Sequence, residues 1–241
     1  MPTFAPTPSR EARRLGRRLA ARGWRPAHAV EVGVWSPESS VVWGWIGAGG
    51  IVTLVEPHPE AADRLREQLG GRSDARLHQV AVADAAGTVS LYRRGPSTFL
   101  ASVERPPALV NDAYRKDDAD RVEVSAVTFD TLDDGSFDLL AVDTEGAEWL
   151  VLRRLRSRPA VIVLETHGAA YRNPHLDEIR QWMRREGYAV WFMTRSDTVW
   201  VRPEVIRPTP GDRLRLRLDR VRLGLRRMRK QWSRGRARDA R

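Results

Sequence analysis

Residues 29–40, AVEVGVWSPESS, are the stretch that decides the fold. Two valines flank an acid, Glu31, and are followed by a single glycine, Gly33, and then by a tryptophan and a proline that resemble the start of a helix. An apolar strand that runs through a glycine turn into a helix is the usual beginning of a nucleotide-binding α/β domain. The stretch therefore predicts such a domain, with Glu31 and Gly33 at its ligand-binding edge.

Short β-rich runs alternate with helical segments from residue 29 to residue 202. Runs such as LLAV and VIVL are apolar on both faces, which is typical of parallel strands covered by helices. The last two runs are joined by only four residues, too few for a crossover helix, so the last strand is predicted to be antiparallel. The pattern predicts an α/β fold with a doubly wound, mostly parallel sheet. Residues 93–121 are polar and turn-rich and are predicted to form a loop or lid over the sheet edge.

Three pairs of a capping residue and a proline predict where helices begin. Proline is tolerated at the first helical position because its missing N–H would have no partner there. Two of these helices are predicted to end at the glycines 70 and 187. The three pairs are Ser36-Pro37, His58-Pro59 and Asn173-Pro174.

The charge is concentrated at the two ends of the chain. The net charge is +10, and residues 211–241 alone contribute 13 basic against 3 acidic side chains. Residues 1–25 carry 7 basic and 1 acidic, so residues 26–210 are mildly acidic. We therefore expect a basic N-terminal helix in residues 1–25, an α/β domain in residues 26–210 and a basic tail in residues 211–241. With no cysteine, no apolar run of about 18 residues and no secretory signal, we expect a cytoplasmic protein.

Several acids follow successive strands, where ligands of such sheets bind. Glu56 ends the second run, 23 residues after Gly33, where an acid accepts hydrogen bonds from ribose hydroxyls. Asp84 follows a later strand, where it can accept from an amide or an adenine amino group. The predicted cofactor-binding residues are Glu31, Gly33, Glu56, Asp84 and Asp143. The alternative is structural, with Glu31 capping a turn and Glu56 capping the next helix.

The most specific motif is TFDTLDDGSFDLLAVDTEGAEWLVLRRL, residues 128–155. Together with VEVG (30–33), VEPHP (55–59), AVAD (81–84) and VIVLETH (161–167), it resembles the FkbM-type family of S-adenosylmethionine-dependent methyltransferases. The resemblance covers roughly residues 30–202. It implies the Rossmann-like class I methyltransferase fold with a seven-stranded sheet, S-adenosylmethionine as cofactor, and O-methylation of a sugar, glycan or secondary-metabolite hydroxyl.

The chain departs from the family pattern in its cofactor loop. Trp35 stands where the family has asparagine, Pro37 where it has a second glycine, and Ala141 where it often has lysine. Glycine lets the backbone approach the cofactor, whereas proline removes a donor. A non-catalytic, degenerate methyltransferase fold therefore remains an alternative. A nicotinamide cofactor is disfavoured because its pyrophosphate would require two more glycines than GVWSPE supplies.

A hydroxyl acceptor must lose its proton, so a general base is expected near the strand ends. Asp143, Glu165 and His167 are the predicted catalytic residues, since VLETHG places the last two on one side of an extended chain. The alternative for His167 is a hydrogen bond to a neighbouring loop. Glu145 and Glu148, which open the helix after Asp143, are predicted to contact substrate, although acids there also stabilise a helix. No metal is predicted, because no spacing of these acids or of the scattered histidines requires one.

The tail has its own pattern. On a helix, one stripe of apolar residues is flanked by arginines, which predicts a basic amphipathic helix on an anionic membrane surface, at the inner membrane face. Leu216 and Leu223 fall off the stripe. The alternatives are a solvated or disordered end, docking on the domain's own acidic surface, or nucleic-acid binding by a nucleic-acid methyltransferase. The predicted partners are a small-molecule or glycan acceptor and this membrane. The stripe residues are Leu214, Leu218, Val221, Leu225, Met228 and Trp232.

Overall fold

A computed structural model describes residues 7–111 and 114–239 of the chain. The helices are α1 (Arg10–Ala20), α2 (Pro59–Leu69), α3 (Pro107–Asn111), α4 (Glu148–Leu152), α5 (Leu176–Arg185) and α6 (Pro210–Asp239). The strands are β1 (His28–Val32), β2 (Ile51–Val55), β3 (Ala75–His78), β4 (Ala81–Val82), β5 (Gly87–Tyr92), β6 (Phe99–Leu100), β7 (Arg121–Val127), β8 (Leu139–Val142), β9 (Val161–Glu165), β10 (Ala189–Met193) and β11 (Asp197–Val201).

The main sheet has seven strands in the order β10-β11-β9-β8-β1-β2-β3. All neighbouring strands run parallel except β11, which is antiparallel to both β9 and β10. The predicted fold class and the antiparallel last strand are therefore confirmed. The chain adds β2 and β3 on one side of β1 and then returns to place β8 on the other side. The strand order thus reverses between β1 and β8, and ligands of such sheets bind at this point.

The sheet is covered on both faces, as its apolar runs predict. Leu139 and Ala141 of β8 belong to one core, which includes Leu15 of α1 and Leu65 of α2. Leu140 and Val142 of β8 belong to the opposite core, with side chains of α4 and α5. Successive strand residues point to opposite faces, so a strand with helices on both sides must be apolar throughout.

A second, four-stranded sheet in the order β4-β7-β5-β6 was not predicted. LHQVAV (77–82) is one of the β-rich runs between residues 29 and 202, and it is divided between the two sheets, with β3 in the large one and β4 in the small one. Residues 93–121, predicted as a loop or lid, contribute β6 and α3. β6 pairs antiparallel with β5, so this segment becomes a wall of the small sheet.

The helix predicted to begin at Pro37 does not form. A turn at residues 37–39 and a short 3-10 helix, Trp43–Trp45, take its place. The reason lies in Glu31, whose buried carboxylate accepts the N–H groups of Val41 and Val42 and holds the chain in a loop. Two neighbouring predictions fare better: α2 begins at Pro59 and ends at a left-handed Gly70, and α5 begins two residues after Pro174.

Both terminal helices pack on the domain. Leu15 and Leu19 of α1 are buried in the core. Near its start α6 places Asp212 beside α1, 3.0 Å from Arg18 and paired also with Arg22. The tail therefore docks, but through its own acids on arginines of α1 rather than through its arginines on an acidic surface. No helix in the described ranges is long and apolar enough to cross a bilayer.

Candidate active site

A cavity of about 320 Å³ opens at the carboxyl ends of β1, β2 and β8, where the strand order reverses. Its volume lies at the lower end of the range of small-molecule sites. The large sheet contributes Gly33, Glu56 and Asp143, and the small sheet contributes Leu91 and Phe99 as an apolar wall. The segment predicted as a loop or lid thus forms one side of the cavity through Phe99 and its neighbours.

Gly33 is required by the close approach of two strand ends. Its φ is +87°, and a Cβ built on it would lie 1.9 Å from the backbone oxygen of Asp143. No side chain fits at that distance, and the left-handed conformation disfavours every residue but glycine. The predicted importance of Gly33 thus has a structural cause, the contact between the ends of β1 and β8.

Glu31 faces the cavity but is also tied to the loop that follows it. It is buried, it accepts a hydrogen bond from the hydroxyl of Ser40, and its Oε1 accepts from the N–H of Val41 at 2.9 Å. Burial raises the pKa of Glu31 to about 7, against the effect of these hydrogen bonds. The geometry agrees with the structural alternative, in which Glu31 caps a turn and so shapes the cavity.

Glu56 lines the cavity at the end of β2. One of its oxygens accepts the N–H of Val34 at 2.8 Å and the other accepts the N–H of His58 at 2.7 Å. Burial raises the pKa of Glu56 to about 7. A carboxylate oxygen can accept two hydrogen bonds, so each oxygen keeps capacity for a ligand hydroxyl. Its backbone partners hold the carboxylate in place for that contact.

Asp84 lies outside the cavity lining. It is exposed and forms an ion pair with Arg153 on the protein surface. The cavity is lined instead by Val80, Ala81 and Val82, just before it in the chain. The strand ends at Val82, so the following residues turn away, and the predicted cofactor contact of Asp84 has no support in this geometry.

Glu148 is fully buried and does not line the cavity, contrary to its predicted substrate contact. Its Oε1 accepts the N–H groups of Thr144 at 3.0 Å and Gly146 at 3.1 Å. Its Oε2 accepts a hydrogen bond from the side-chain amide of Asn173. All the hydrogen-bond donors that Glu148 accepts from belong to the protein. Its role is therefore to hold the turn at residues 144–146 in place, and it does not contact a ligand.

Asp143, Glu145 and Glu165 form a carboxylate cluster, with one oxygen of each within 4.8 Å of the others. Asp143 opens into the cavity, whereas Glu145 and Glu165 are only 9% exposed. Burial raises the pKa of Asp143 well above its usual range, and the neighbouring Glu145 raises it further. Burial and Asp143 do the same for Glu165. The structure thus brings together three predicted site residues that are up to 22 positions apart in the chain.

His167 does not reach the cavity. It is 2% exposed, its Nδ1 lies 2.8 Å from the hydroxyl of Thr166, and its Nε2 lies 3.4 Å from the backbone oxygen of Thr194. Burial lowers its pKa to about 4. Both ring nitrogens therefore face protein partners. This agrees with the alternative, a hydrogen bond to a neighbouring loop, and gives no support to His167 as a general base.

The two unusual residues of the cofactor loop lie in different places. Trp35 lines the cavity, with its ring edge-on to His58 at 5.2 Å and the guanidinium of Arg64 4.7 Å from its centroid. Pro37 is buried and is not among the lining residues. Trp35 is therefore held as part of the wall, and the cavity remains open beside it.

The cavity lining has an unbalanced charge. Five acids line it, and no lysine, arginine or histidine among the described residues does. Sequence reasoning missed Glu11 and Asp197, because neither follows a parallel strand of the domain. Asp197 reaches the cavity because β11 inserts beside β9, so its first residue meets the end of that strand. The acids are Glu11, Glu31, Glu56, Asp143 and Asp197.

The chain is similar to one family of enzymes over most of its α/β domain. The sequence profile of the methyltransferase FkbM domain matches residues 30–190, which include Glu56 and the carboxylate cluster. No curated protein matches the chain. Among solved structures, cofactor-bound Rv0187 from MTB is 18% identical over 81% of each chain, with a TM-score of 0.43. An O-methyltransferase from Bacillus cereus in complex with SAH is 13% identical over 78% of each chain, with a TM-score of 0.39.

Proposed function

The chain belongs to the FkbM methyltransferase family, and on that premise we propose that it transfers a methyl group from S-adenosylmethionine to a hydroxyl oxygen of a small-molecule or glycan acceptor. The observation that carries this proposal is the acidic cavity, which no basic side chain of the described residues lines. S-adenosylmethionine has a sulfonium and an ammonium group against one carboxylate, so it is a net cation. Opposite charges at short range in a partly desolvated cavity attract strongly.

The same charge pattern argues against a dinucleotide. The two phosphates of a nicotinamide cofactor would face five acids, and no arginine or lysine in the described part of the chain lines the cavity to bind them. The helix that normally offers its N-terminus to a pyrophosphate is also missing after Gly33. Both observations favour the cationic cofactor over the nicotinamide alternative.

The lining residues fit the parts of S-adenosylmethionine. Glu56 is placed to accept hydrogen bonds from the ribose hydroxyls, as acids at this position do. Val80, Val82 and Leu91 offer an apolar surface for adenine. Asp143 stands at the end of β8, where the reacting end of a cofactor held by Glu56 would be directed. When bound, the cofactor supplies a methyl group that is already activated by the positive sulfur.

Asp143 is the candidate base that removes the proton of the acceptor hydroxyl. As the oxygen–carbon bond forms and the carbon–sulfur bond breaks, the hydroxyl proton must pass to a base. Asp143 is the cluster carboxylate that opens into the cavity, so it is the one that an acceptor hydroxyl in the cavity can reach. Leu91, Phe99 and Leu100 give the cavity an apolar wall, which would limit the access of water to reacting groups beside it. Positioning accounts for much of the acceleration in such displacements.

The other two hypotheses have less support. A degenerate, non-catalytic fold would be favoured by a blocked cavity, but Trp35 lies in its wall and the space is open. A nucleic-acid acceptor would bring its phosphates close to the acids that line the cavity, and these like charges would repel one another. A small, neutral compound with a hydroxyl group fits the open cavity and is not repelled by its acids.

Calorimetry with the full chain tests the cofactor. We expect S-adenosylmethionine to bind with micromolar affinity, and Glu56→Ala to weaken binding about 10- to 100-fold, because hydrogen bonds to a charged group contribute about 1.5–3 kcal/mol. Glu60→Ala, an exposed acid in the first turn of α2, is the matched control and should bind like wild type. Absence of binding by wild type would contradict the proposal. Equal affinity of wild type and Glu56→Ala would remove Glu56 from the site.

A further inference from the structure

The carboxylate cluster of Asp143, Glu145 and Glu165 has the composition and spacing of a cation site. Oxygen atoms on opposite sides of a divalent ion are about 4–5 Å apart, since ligand distances are about 2.0–2.6 Å. The cluster oxygens all lie within 4.8 Å of one another. Three oxygens at such distances can therefore meet one ion with little movement, whereas three carboxylates without a counter-charge repel one another.

Buried polar atoms next to the cluster point to the same conclusion. Tyr171 is 0% exposed, and its hydroxyl has no hydrogen-bond partner among residues 7–111 and 114–239. A Cβ built on Gly146, directly after Glu145, would lie 3.4 Å from that hydroxyl. Oε2 of Glu165 is also buried and finds no hydrogen-bond partner within the same described ranges. Buried polar groups are nearly always satisfied, so an ion with its water would supply the missing interactions.

We propose that Asp143, Glu145 and Glu165 bind one divalent cation of the kind that prefers oxygen ligands, such as Mg²⁺, Mn²⁺ or Ca²⁺. An ion can enter from the cavity, to which Asp143 is open. All three ligands are carboxylates, and the cluster includes no histidine, which favours hard cations over zinc or copper. A carboxylate has two oxygens, so Asp143 can give one to the ion and the other to the acceptor.

The site adds a role that rests on the proposed function. A cation at the acceptor end of the cavity would hold an acceptor oxygen and lower the pKa of its hydroxyl group. It would also favour acceptors with two neighbouring oxygens, as sugars have. Cation binding itself does not depend on methyl transfer and is measured separately.

Titration of the cofactor-free full chain with Mn²⁺, followed by electron paramagnetic resonance, tests the site. We expect one Mn²⁺ per chain, displaced by Mg²⁺ or Ca²⁺, and binding weakened at least about tenfold in Glu165→Gln. Glu67→Gln, an exposed acid of α2, should bind Mn²⁺ like wild type. S-adenosylmethionine binding by Glu165→Gln, measured with chelator present, shows that this variant is folded.

Two results would overturn this proposal. One is wild-type protein that binds no Mn²⁺ at millimolar concentration, and the other is equal Mn²⁺ affinity of Glu165→Gln and wild type. If Mn²⁺ binds normally but S-adenosylmethionine does not, the proposed function fails while the cation site stands. The reverse outcome removes the cation and leaves methyl transfer to Asp143 alone.

An independent observation concerns the surface of α6. Five large apolar side chains of this helix are between 49% and 60% exposed, and on a helix they form one stripe. Leu216, which fell off the predicted stripe, is instead buried against the domain. The helix therefore has two apolar sides, one docked and one facing outward. The outward residues, called the outer stripe below, are Leu214, Leu218, Val221, Leu225 and Met228; the side chain of Trp232 lies outside the described residues.

The charged side chains of α6 are also divided between its two sides, with the acids toward the domain and exposed arginines beside the outer stripe. Asp212 and Asp219 both face the domain, where they pair with arginines of α1. Helical geometry places Arg213 and Arg217 along one edge of the outer stripe and Arg222 and Arg229 along the other, and all four are exposed. The outward surface of residues 210–230 thus combines apolar side chains with positive charge and no acid.

We infer that the outer stripe of α6 binds the surface of an anionic lipid bilayer. Apolar side chains at the level of the headgroups, with arginines beside them, suit such a surface. A nucleic acid would use the arginines but would leave the apolar side chains in water. A second copy of the chain would bury the stripe but would bring its arginines against those of its partner.

Flotation of the full chain with vesicles tests this surface. We expect binding to vesicles of equimolar phosphatidylglycerol and phosphatidylcholine, and much weaker binding to pure phosphatidylcholine. Leu218→Gln combined with Leu225→Gln should weaken binding at least about tenfold, because each loses an inserted apolar side chain. Val205→Gln replaces a side chain that is 46% exposed outside the outer stripe and should bind like wild type.

Three outcomes would overturn this inference. The first is a wild-type protein that fails to bind the anionic vesicles, and the second is a double variant that binds them as well as wild type, which would leave charge alone responsible. The third is a wild-type protein that forms a dimer and binds no vesicles, while the double variant is a monomer. Sedimentation analysis of both proteins measures this. The double substitution lies on exposed positions, so an unchanged melting temperature confirms that the fold is intact.

Discussion

Gly33→Ala is expected to lower the free energy of unfolding by about 2–5 kcal/mol and to abolish S-adenosylmethionine binding. The left-handed backbone contributes about 1–2 kcal/mol, and forcing a methyl group into a packed contact contributes about 1–3 kcal/mol more. The new Cβ would lie 1.9 Å from the backbone oxygen of Asp143, so the ends of β1 and β8 must separate. Both strand ends line the cavity, and urea unfolding with calorimetry on the same samples measures the two effects.

Gly135→Ala is the matched control for this substitution. Gly135 has the same φ of +87°, but a Cβ there would meet nothing within 4 Å. We expect a loss of only about 1–2 kcal/mol from the backbone conformation and unchanged cofactor binding. The difference between the two variants therefore isolates the contact with Asp143. Equal destabilisation by both, with binding retained in Gly33→Ala, would show that the strand ends need not touch.

Glu148→Ala is expected to lower the free energy of unfolding by about 3–5 kcal/mol. The substitution removes the acceptor of the N–H groups of Thr144 and Gly146 at a fully buried position, and it removes one of the two acceptors of the Asn173 amide. Each buried donor without a partner costs about 1–3 kcal/mol. The turn at residues 144–146 should loosen, and Glu145 with it. Thermal and urea unfolding measure the effect.

The conservative variants show whether hydrogen bonding is the cause. Glu148→Gln keeps an acceptor for the turn but directs an amide donor at the amide of Asn173, which cannot rotate because its Oδ1 accepts the N–H of His175 at 2.8 Å. We expect an intermediate loss of about 1–3 kcal/mol. Asn173→Asp added to Glu148→Gln restores a donor–acceptor pair and should recover at least about 1 kcal/mol of it. Additive losses in the double variant would contradict this network.

Much of the fold follows from local patterns in the sequence. Strands β8 and β9 are apolar on both faces, and this pattern was sufficient to predict them as covered parallel strands. Helix α2 is bounded by Pro59 and Gly70, and the preference of proline for helix starts and of glycine for helix ends was sufficient to predict its limits. The family motif at residues 128–155 predicted the methyltransferase family that the profile match confirms. These features depend on residues close together in the chain. For that reason a single sequence contains the necessary information.

The cofactor loop shows where such reasoning fails. Ser36 and Pro37 form a sound helix start by local criteria, yet the chain turns back because the buried carboxylate of Glu31 binds the backbone at Val41 and Val42. An unperturbed histidine has a pKa near neutrality, which suits a general base, yet burial lowers the pKa of His167 to about 4. Both of its ring nitrogens also face protein partners. In both cases a tertiary contact outweighs a local preference.

What the sequence determined by itself is the fold class, with its mostly parallel sheet and antiparallel last strand, the family, and the acids Glu56 and Asp143 at strand ends. Only the tertiary structure decided which acids share a site: it assembled Asp143, Glu145 and Glu165, added Asp197 to the cavity, and placed Asp84 and Glu148 elsewhere. It also decided which apolar side of α6 docks and which faces outward. The physical reason is that burial and charge interactions depend on distances between side chains, and those distances are set by the packing of distant segments rather than by their spacing in the chain.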